Sequence, residues 1–218
     1  RRHTRYISVT GVQTCALPIS ITPATTTVKP LAVSPFVPSY YSNYFNGSTD
    51  YLSVSANTAL GLGTGDFTIE YWCYPNSISG TPTIIDFRSS TGDTVISDYL
   101  STGAPVIYIN STNAATSSQA LTVGSWFHIA YTRSGTTLRI FVNGVQTASV
   151  TSSYNMGTSQ PLRIGNNIAG TAYFNGLISN VRVVKGQALY TSAFTPSTSP
   201  LTTTSQGATS ANVSLLTC

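Results

Sequence analysis

Apolar residues in this chain recur at every second position, in short runs cut off by Gly, Asn, Ser and Pro, which is the period of half-buried strands. Residues 67–74 show it plainly. Phe67, Ile69, Tyr71 and Cys73 fall on one face, and Thr68, Glu70, Trp72 and Tyr74 on the other. Residues 126–133 repeat the pattern, with Phe127, Ile129 and Tyr131 opposite Trp126, His128 and Ala130. Asn143-Gly144 then separates residues 136–142 from 145–150. A two-residue type I′ turn needs positive φ at both positions, which Asn and Gly tolerate best, so this is a hairpin. Ser134-Gly135 turns the preceding strand into it, and residues 83–87, 106–109, 161–165, 176–184 and 211–216 continue the series. No stretch sustains a 3.6-residue apolar period between caps. Strands are expected at 51–54, 67–74, 126–133, 138–142 and 178–184. Phe67, Ile69, Ile129, Ile140, Val142, Ile164, Ile178 and Val181 should be buried. Many short strands closely spaced predict an all-β sandwich or barrel.

The ends of the chain read differently. Residues 1–6 spell RRHTRY and residues 9–19 spell VTGVQTCALPI. Both resemble one frame of a translated sequencing adapter, in adapter order. The alternative is a basic arm or targeting peptide, but there is no apolar h-region for a secretion signal. Residues 1–19 are therefore expected to stand outside the fold. They hold Arg1, Arg2 and Arg5, so without them ten basic residues become seven, against six acidic, and the formal charge of +4 falls to +1. A basic footprint for nucleic acid or anionic membrane is then lacking. Residues 20–41, with Pro23, Pro30, Pro35 and Pro38, form an extended linker or lead-in strand. Residues 42–218 make one domain, expected to be cut short at Cys218. Charged residues are 7% of the chain, against about a quarter in ordinary domains. Hydroxyls and amides keep this surface wet instead, as in extracellular and virion proteins, and no apolar run is long enough to span a membrane.

Several short motifs then occur in a fixed order: Tyr44-Phe45-Asn46-Gly47 with Asp50-Tyr51-Leu52, and Gly65-Asp66-Phe67-Thr68-Ile69-Glu70 with Trp72. Trp126, His128, Ile129, Ala130 and Thr132-Arg133 follow, then Leu138, Ile140 and Val142-Asn143-Gly144, then Leu162, Ile164 and Gly165. The most distinctive run starts at Phe174-Asn175-Gly176-Leu177-Ile178 and continues through Tyr190 to Phe194-Thr195-Pro196. This ordered set resembles the laminin-G-like group of concanavalin A-like jelly rolls, especially versions in tailed-phage and environmental virion proteins. The resemblance implies a two-sheet antiparallel jelly-roll sandwich, glycans or neighbouring virion subunits as partners, and an extracellular or virion location.

The same superfamily includes β-glucanases, which the resemblance implies carry two glutamates on one strand with an aspartate between. This chain has one glutamate, Glu70, flanked by Thr68 and Trp72, so no acid–nucleophile pair is expected. His128 lacks a nucleophile-elbow motif for a triad and a second histidine or a cysteine pair for zinc, and is read as a hydrogen-bonded structural residue. No catalytic residue is assigned. Cys73 lies in an apolar strand, where a buried thiol is the default; a bridge to Cys218 stays open. Laminin-G-like domains often hold Ca²⁺ at a sandwich edge, which makes Asn46 and Asp50 calcium candidates. The other reading has them shaping a turn. Rings that stack on sugars are sought among Trp72, Tyr74, Tyr99, Tyr108, Tyr154 and Tyr173, although the resemblance places Trp72 and Trp126 in sandwich packing. Two functions remain: a non-catalytic structural or receptor-facing module of a virion appendage such as a tail fibre, with weak glycan recognition, or a carbohydrate-binding or adhesion domain of a secreted cellular protein.

Overall fold

The computed structural model describes residues 21–23, 29–31, 33–36, 42–93 and 95–217. The expectations for residues 1–19 and for Cys218 lie outside the described residues. In chain order the strands are β1 Ile21–Pro23, β2 Lys29–Leu31, β3 Ser42–Asn46, β4 Leu52–Asn57, β5 Phe67–Pro75, β6 Thr83–Asp86, β7 Ser97–Ser101 and β8 Ala104–Ile109. They continue as β9 Thr112–Thr116, β10 Phe127–Ser134, β11 Thr137–Val142, β12 Val145–Thr151, β13 Gln160–Ile164, β14 Asn175–Lys185 and β15 Val213–Leu216. Among the described residues helix is limited to three single turns, Thr58–Leu60, Ser205–Gly207 and Ser210–Asn212.

The strands build two antiparallel sheets. One has seven strands in the order β1-β4-β13-β6-β7-β8-β9. The other has eight, in the order β12-β11-β10-β5-β14-β3-β2, with β15 also on β14. Pro23 and Pro30 of the lead-in both fall in edge strands, where a missing amide donor is tolerated. The alternation works as the sequence requires: Phe67, Ile69, Tyr71 and Cys73 of β5 face the other sheet, as do Ile129 and Tyr131 of β10 and Leu52 and Val54 of β4. All eight residues expected to be buried are at most 2% exposed. Val142 pairs with Val145 across the expected hairpin turn, and both turn residues have positive φ, Asn143 at 50° and Gly144 at 80°.

β14 is the spine of the eight-stranded sheet. β5 runs along one side of it, while β3 covers its first half and β15 its second. Between those halves the register shifts at Ser179–Arg182, where Asn180 has φ 53°. The Asn180 Oδ1 accepts from the Leu201 backbone N–H, and the Thr217 Oγ1 accepts from that of Val181. The bulge is thus tied to the chain that follows β14. That chain, residues 186–212, crosses the outer face of the same sheet as a strap. Its Tyr190 and Phe194 pack on Ala130 and Phe141, and its Leu201 and Ala208 on Val184, Val213 and Leu216.

Candidate functional site

Among the described residues no such strap crosses the outer face of the seven-stranded sheet. Strand alternation that sends Asp98, Leu100, Ile107 and Ile109 inward sends Ser97 and Tyr99 of β7 and Tyr108 of β8 outward. Together with Thr81, Thr83, Arg88, Asn167 and Ala172 they line an open groove of about 230 Å³. The Tyr99 and Tyr108 rings meet edge to face at 6.2 Å, and the Tyr99 hydroxyl donates to the Asn113 Oδ1 at 2.7 Å.

Arg88, just past β6, is fixed from below by Asp86. Its Nε donates to the Asp86 Oδ1 at 2.9 Å and its Nη2 to the Oδ2 at 2.7 Å, while the Arg88 backbone N–H also donates to the Oδ1. The guanidinium carbon then sits 5.5 Å from the centre of the Tyr108 ring. The hydrogen bond to Asp86 makes Arg88 hold its proton more tightly than usual, against the opposing effect of partial burial. Asp86 is itself fully buried and accepts the Ile168 backbone N–H at 2.8 Å. That contact anchors residues 167–172 as one wall of the groove. Asn167 shapes the wall by accepting from the backbone N–H groups of Thr171 and Ala172. Beyond the wall lies a second aromatic cluster: Arg163 stacks 4.9 Å over Tyr51, and Tyr51 meets Tyr173 at 6.5 Å.

Of the six rings named from the sequence as stacking candidates, the structure brings Tyr99 and Tyr108 together. Tyr173 lies across the wall. Tyr154 is 43% exposed and its hydroxyl accepts from the Asn110 Nδ2. Trp72 and Tyr74 are on the opposite side of the molecule, on the outer face of the eight-stranded sheet. There Trp72 packs edge-on against Phe36 and His128, and Tyr74 lies 5.6 Å from Trp126. Both tryptophans are partly exposed there rather than packed between the sheets, because Phe67, Ile69, Tyr71 and Cys73 already fill the inward positions of β5.

Glu70 also faces outward from the eight-stranded sheet, and it is not alone. Arg182 pairs with it at 2.5 Å, and its Nε donates to the Glu70 Oε1 at 2.7 Å. The His128 Nε2 lies 3.0 Å from the Glu70 Oε2, and the Tyr190 hydroxyl donates to that oxygen at 2.9 Å. Glu70, His128 and Arg182 are fully buried beneath the strap, to which Tyr190 itself belongs. Burial pushes the Glu70 carboxyl up, but His128 and Arg182 outweigh it and hold it below its ordinary 4.5. A carboxylate so held serves neither as acid nor as nucleophile toward a sugar. Its partners come from β10, β14 and the strap, and no local motif announced them.

Asn46 and Asp50 share one turn. The Asn46 Oδ1 accepts from the backbone N–H groups of Ser48, Thr49 and Asp50. The Asp50 Oδ2 accepts from the Asn46 N–H, its Oδ1 accepts from the Thr49 hydroxyl, and the side chain is fully buried. Calcium requires six to eight oxygen donors, and the oxygens of this pair are committed to the turn. No group of three His, Cys, Asp or Glu able to hold a metal occurs among the described residues. As folded, both side chains bond to the turn they share. Cys73 is a free thiol in the core, whose pKa burial raises well above the ordinary value.

The family profile described as the concanavalin A-like lectin/glucanases superfamily, of laminin-G type, matches residues 46–192. No curated protein matches the sequence. Among solved structures, the fold is similar to domain 4 of AbnA, a GH43 extracellular arabinanase from Geobacillus stearothermophilus, solved with arabinotriose. The TM-score is 0.62 at 17% identity, over 78% of this chain and 84% of that one. It is similar to domains LG4-5 of the mouse laminin alpha1 chain, with TM-score 0.52 at 19% identity, over 72% of this chain and 47% of that one. It is also similar to part of Trypanosoma rangeli sialidase in complex with the inhibitor DANA, with TM-score 0.55 at 12% identity, over 79% of this chain and 28% of that one. Two facing antiparallel sheets and a profile match that runs from the end of β3 into the strap agree: the chain belongs to the concanavalin A-like lectin/glucanases superfamily.

Proposed function

We propose that this domain is a non-catalytic module that binds glycans in the groove on the outer face of its seven-stranded sheet, as part of a virion appendage or similar surface protein. The observation that carries the reading is the groove itself. Two tyrosine rings and a guanidinium held by Asp86 meet there, with Thr81, Thr83 and Ser97 among the lining residues. Sugar recognition needs that mixture, since the C–H faces of a sugar ring stack on aromatics while its hydroxyls take directed hydrogen bonds. The similar arabinanase domain was solved with arabinotriose, which supports a saccharide as the ligand class.

A hydrolytic role lacks a carboxyl pair. Glu70 is sealed beneath the strap, Asp86 is bound to Arg88 and Ile168, and the Asp93 Oδ2 accepts from the Ser89 N–H and hydroxyl. The virion setting draws support from the resemblance of residues 174–196 to virion versions of the family and from the charge-poor, hydroxyl-rich composition. The second reading, an adhesion or carbohydrate-binding domain of a secreted cellular protein, is favoured by the similarity to one domain of an extracellular arabinanase. Tail or capsid genes beside the reading frame support the first; an appended hydrolase domain supports the second. Binding by a single domain is expected near millimolar, with avidity arising from many copies. A glycan array probed with the domain displayed multivalently tests the proposal. Signal on defined glycans that Tyr108→Ala removes supports it, and silence on every glycan overturns it.

A further inference from the structure

We propose that the groove selects uncharged sugars and rejects anionic ones; this rests on the glycan-binding reading of the same groove and adds the charge class of its ligand. Arginine in a sugar site ordinarily marks a carboxylate or sulfate on the ligand, because the guanidinium fork matches such groups in two contacts. Here that fork is already used. The Nε and Nη2 of Arg88 take both oxygens of Asp86, at 2.9 and 2.7 Å. Asp86 is fully buried, beneath a wall whose Ile168 N–H it accepts, so it cannot swing aside for an incoming anion.

A second carboxylate stands close by. Asp93 lies near enough to act electrostatically on Arg88, and its Oδ2 accepts from the N–H and hydroxyl of the adjacent Ser89. The Arg88–Asp86 pair thus brings no net positive charge to the groove. An acidic sugar would meet a pair of zero net charge while giving up its own hydration. A hydroxyl loses nothing of the kind. The Arg88 Nη1 hydrogens and one Nη2 hydrogen are not used on Asp86, and a guanidinium N–H can donate to a sugar oxygen. The Tyr99 oxygen, having donated to Asn113, is left as an acceptor for a sugar O–H. The Asp86–Arg88 pair thus behaves as a rigid donor plate of zero net charge beside the Tyr108 ring. Arg163 makes no ion pair among the described residues, but it stacks on Tyr51 beyond the wall and does not line the groove.

The test compares neutral oligosaccharides with acids of the same linkage, such as fully methyl-esterified oligogalacturonides and the free oligogalacturonides, by calorimetry or surface binding on the whole chain. Neutral ligands are expected to bind at least about tenfold more tightly than their acids. Their affinity should change less than about twofold between roughly 50 and 500 mM NaCl, since no ion pair forms with the ligand. Arg88→Gln should weaken neutral binding about tenfold or more. Equal or tighter binding of the acids, with steep salt dependence, overturns the inference. If that acidic binding is lost in Tyr108→Ala, the glycan-binding reading survives and the charge selection alone fails. If it is lost in Arg163→Gln instead, the site is the Tyr51 corner and both assignments to the groove fail. Binding of neither class also sinks both.

Discussion

The two outer faces of this sandwich carry similar chemistry to opposite ends. On the eight-stranded sheet Glu70, His128 and Arg182 are joined by Tyr190 and roofed by residues 186–212, so that every charge is spent inside the protein. On the seven-stranded sheet Asp86 and Arg88 form a comparable pair, but the Arg88 side chain is 12% exposed and two tyrosine rings stand open beside it. Sealed, an ion pair orders the fold; left at the rim of a groove, it orders a surface. What separates the faces is the strap, and the strap follows β14 alone.

The largest effect should come from breaking the sealed face. Glu70→Ala leaves Arg182 buried without its carboxylate, and loss of one member of a buried pair costs about 3–5 kcal/mol. Urea denaturation should show the midpoint shift, and a change below about 1 kcal/mol would mean the network is not what holds the strap. The same variant should leave the opposite groove able to bind its glycan wherever the protein remains folded.

Between the faces lies a further buried carboxylate, whose pH dependence has the opposite sign to that of Glu70. Asp98 of β7 accepts hydrogen bonds inside the core from the hydroxyls of Tyr71 and Tyr131. Burial nevertheless lifts its pKa from 3.8 to about 7. A folded value above the unfolded one means the native state holds the extra proton, so stability should fall as pH rises from about 4 to about 7, by at most about 4 kcal/mol. Glu70, held below 4.5, contributes stability that is present above that value and lost as pH falls through the folded pKa. Unfolding at pH 5 and pH 8 separates the two. Asp98→Asn should flatten the profile between those points, whereas a wild-type profile already flat there would refute the assignment.

On the open face the effects should be smaller and confined to binding. Tyr108→Ala should cost about tenfold in glycan affinity, near 1.4 kcal/mol, with stability changed by about 1 kcal/mol or less. A larger loss of stability would place Tyr108 in the scaffold and blur the contrast. Smallest of all, millimolar Ca²⁺ or its removal by a chelator should move the thermal midpoint by less than about 1 °C, given how the Asn46–Asp50 turn is bonded. A clear shift would reopen that turn as a calcium site.

The strands, their inward faces and the Asn143-Gly144 hairpin were legible because period-2 alternation and turn chemistry are local signals. The groove was legible only in part. Tyr99 and Tyr108 were among six candidate rings, and nothing nearby in the sequence distinguishes them from Tyr74 or Tyr154. Pairing of β7 with β8 does so, by carrying both rings to one side. The Asp86–Arg88 pair sits where β6 ends and takes its meaning from Ile168, 82 residues later. Glu70 read as solitary for the same reason: its partners lie 58, 112 and 120 residues away. The tryptophans were misplaced because an outward position on a sheet does not reveal whether chain will cover it.

The Asn143-Gly144 turn also sets a schedule. The Phe194 backbone N–H donates to the Gly144 oxygen at 3.0 Å, and the Phe194 carbonyl oxygen lies 1.9 Å from where a β-carbon on Gly144 would be. The strap therefore rests on the hairpin turn, against a surface that needs positive φ at both turn residues. During synthesis β10 to β12 can close on themselves early, since their contacts are local, while Glu70 and His128 stay hydrated until the chain beyond residue 190 arrives. One face of the molecule is thus completed late, and in that interval the nascent chain carries two wet outer faces instead of one.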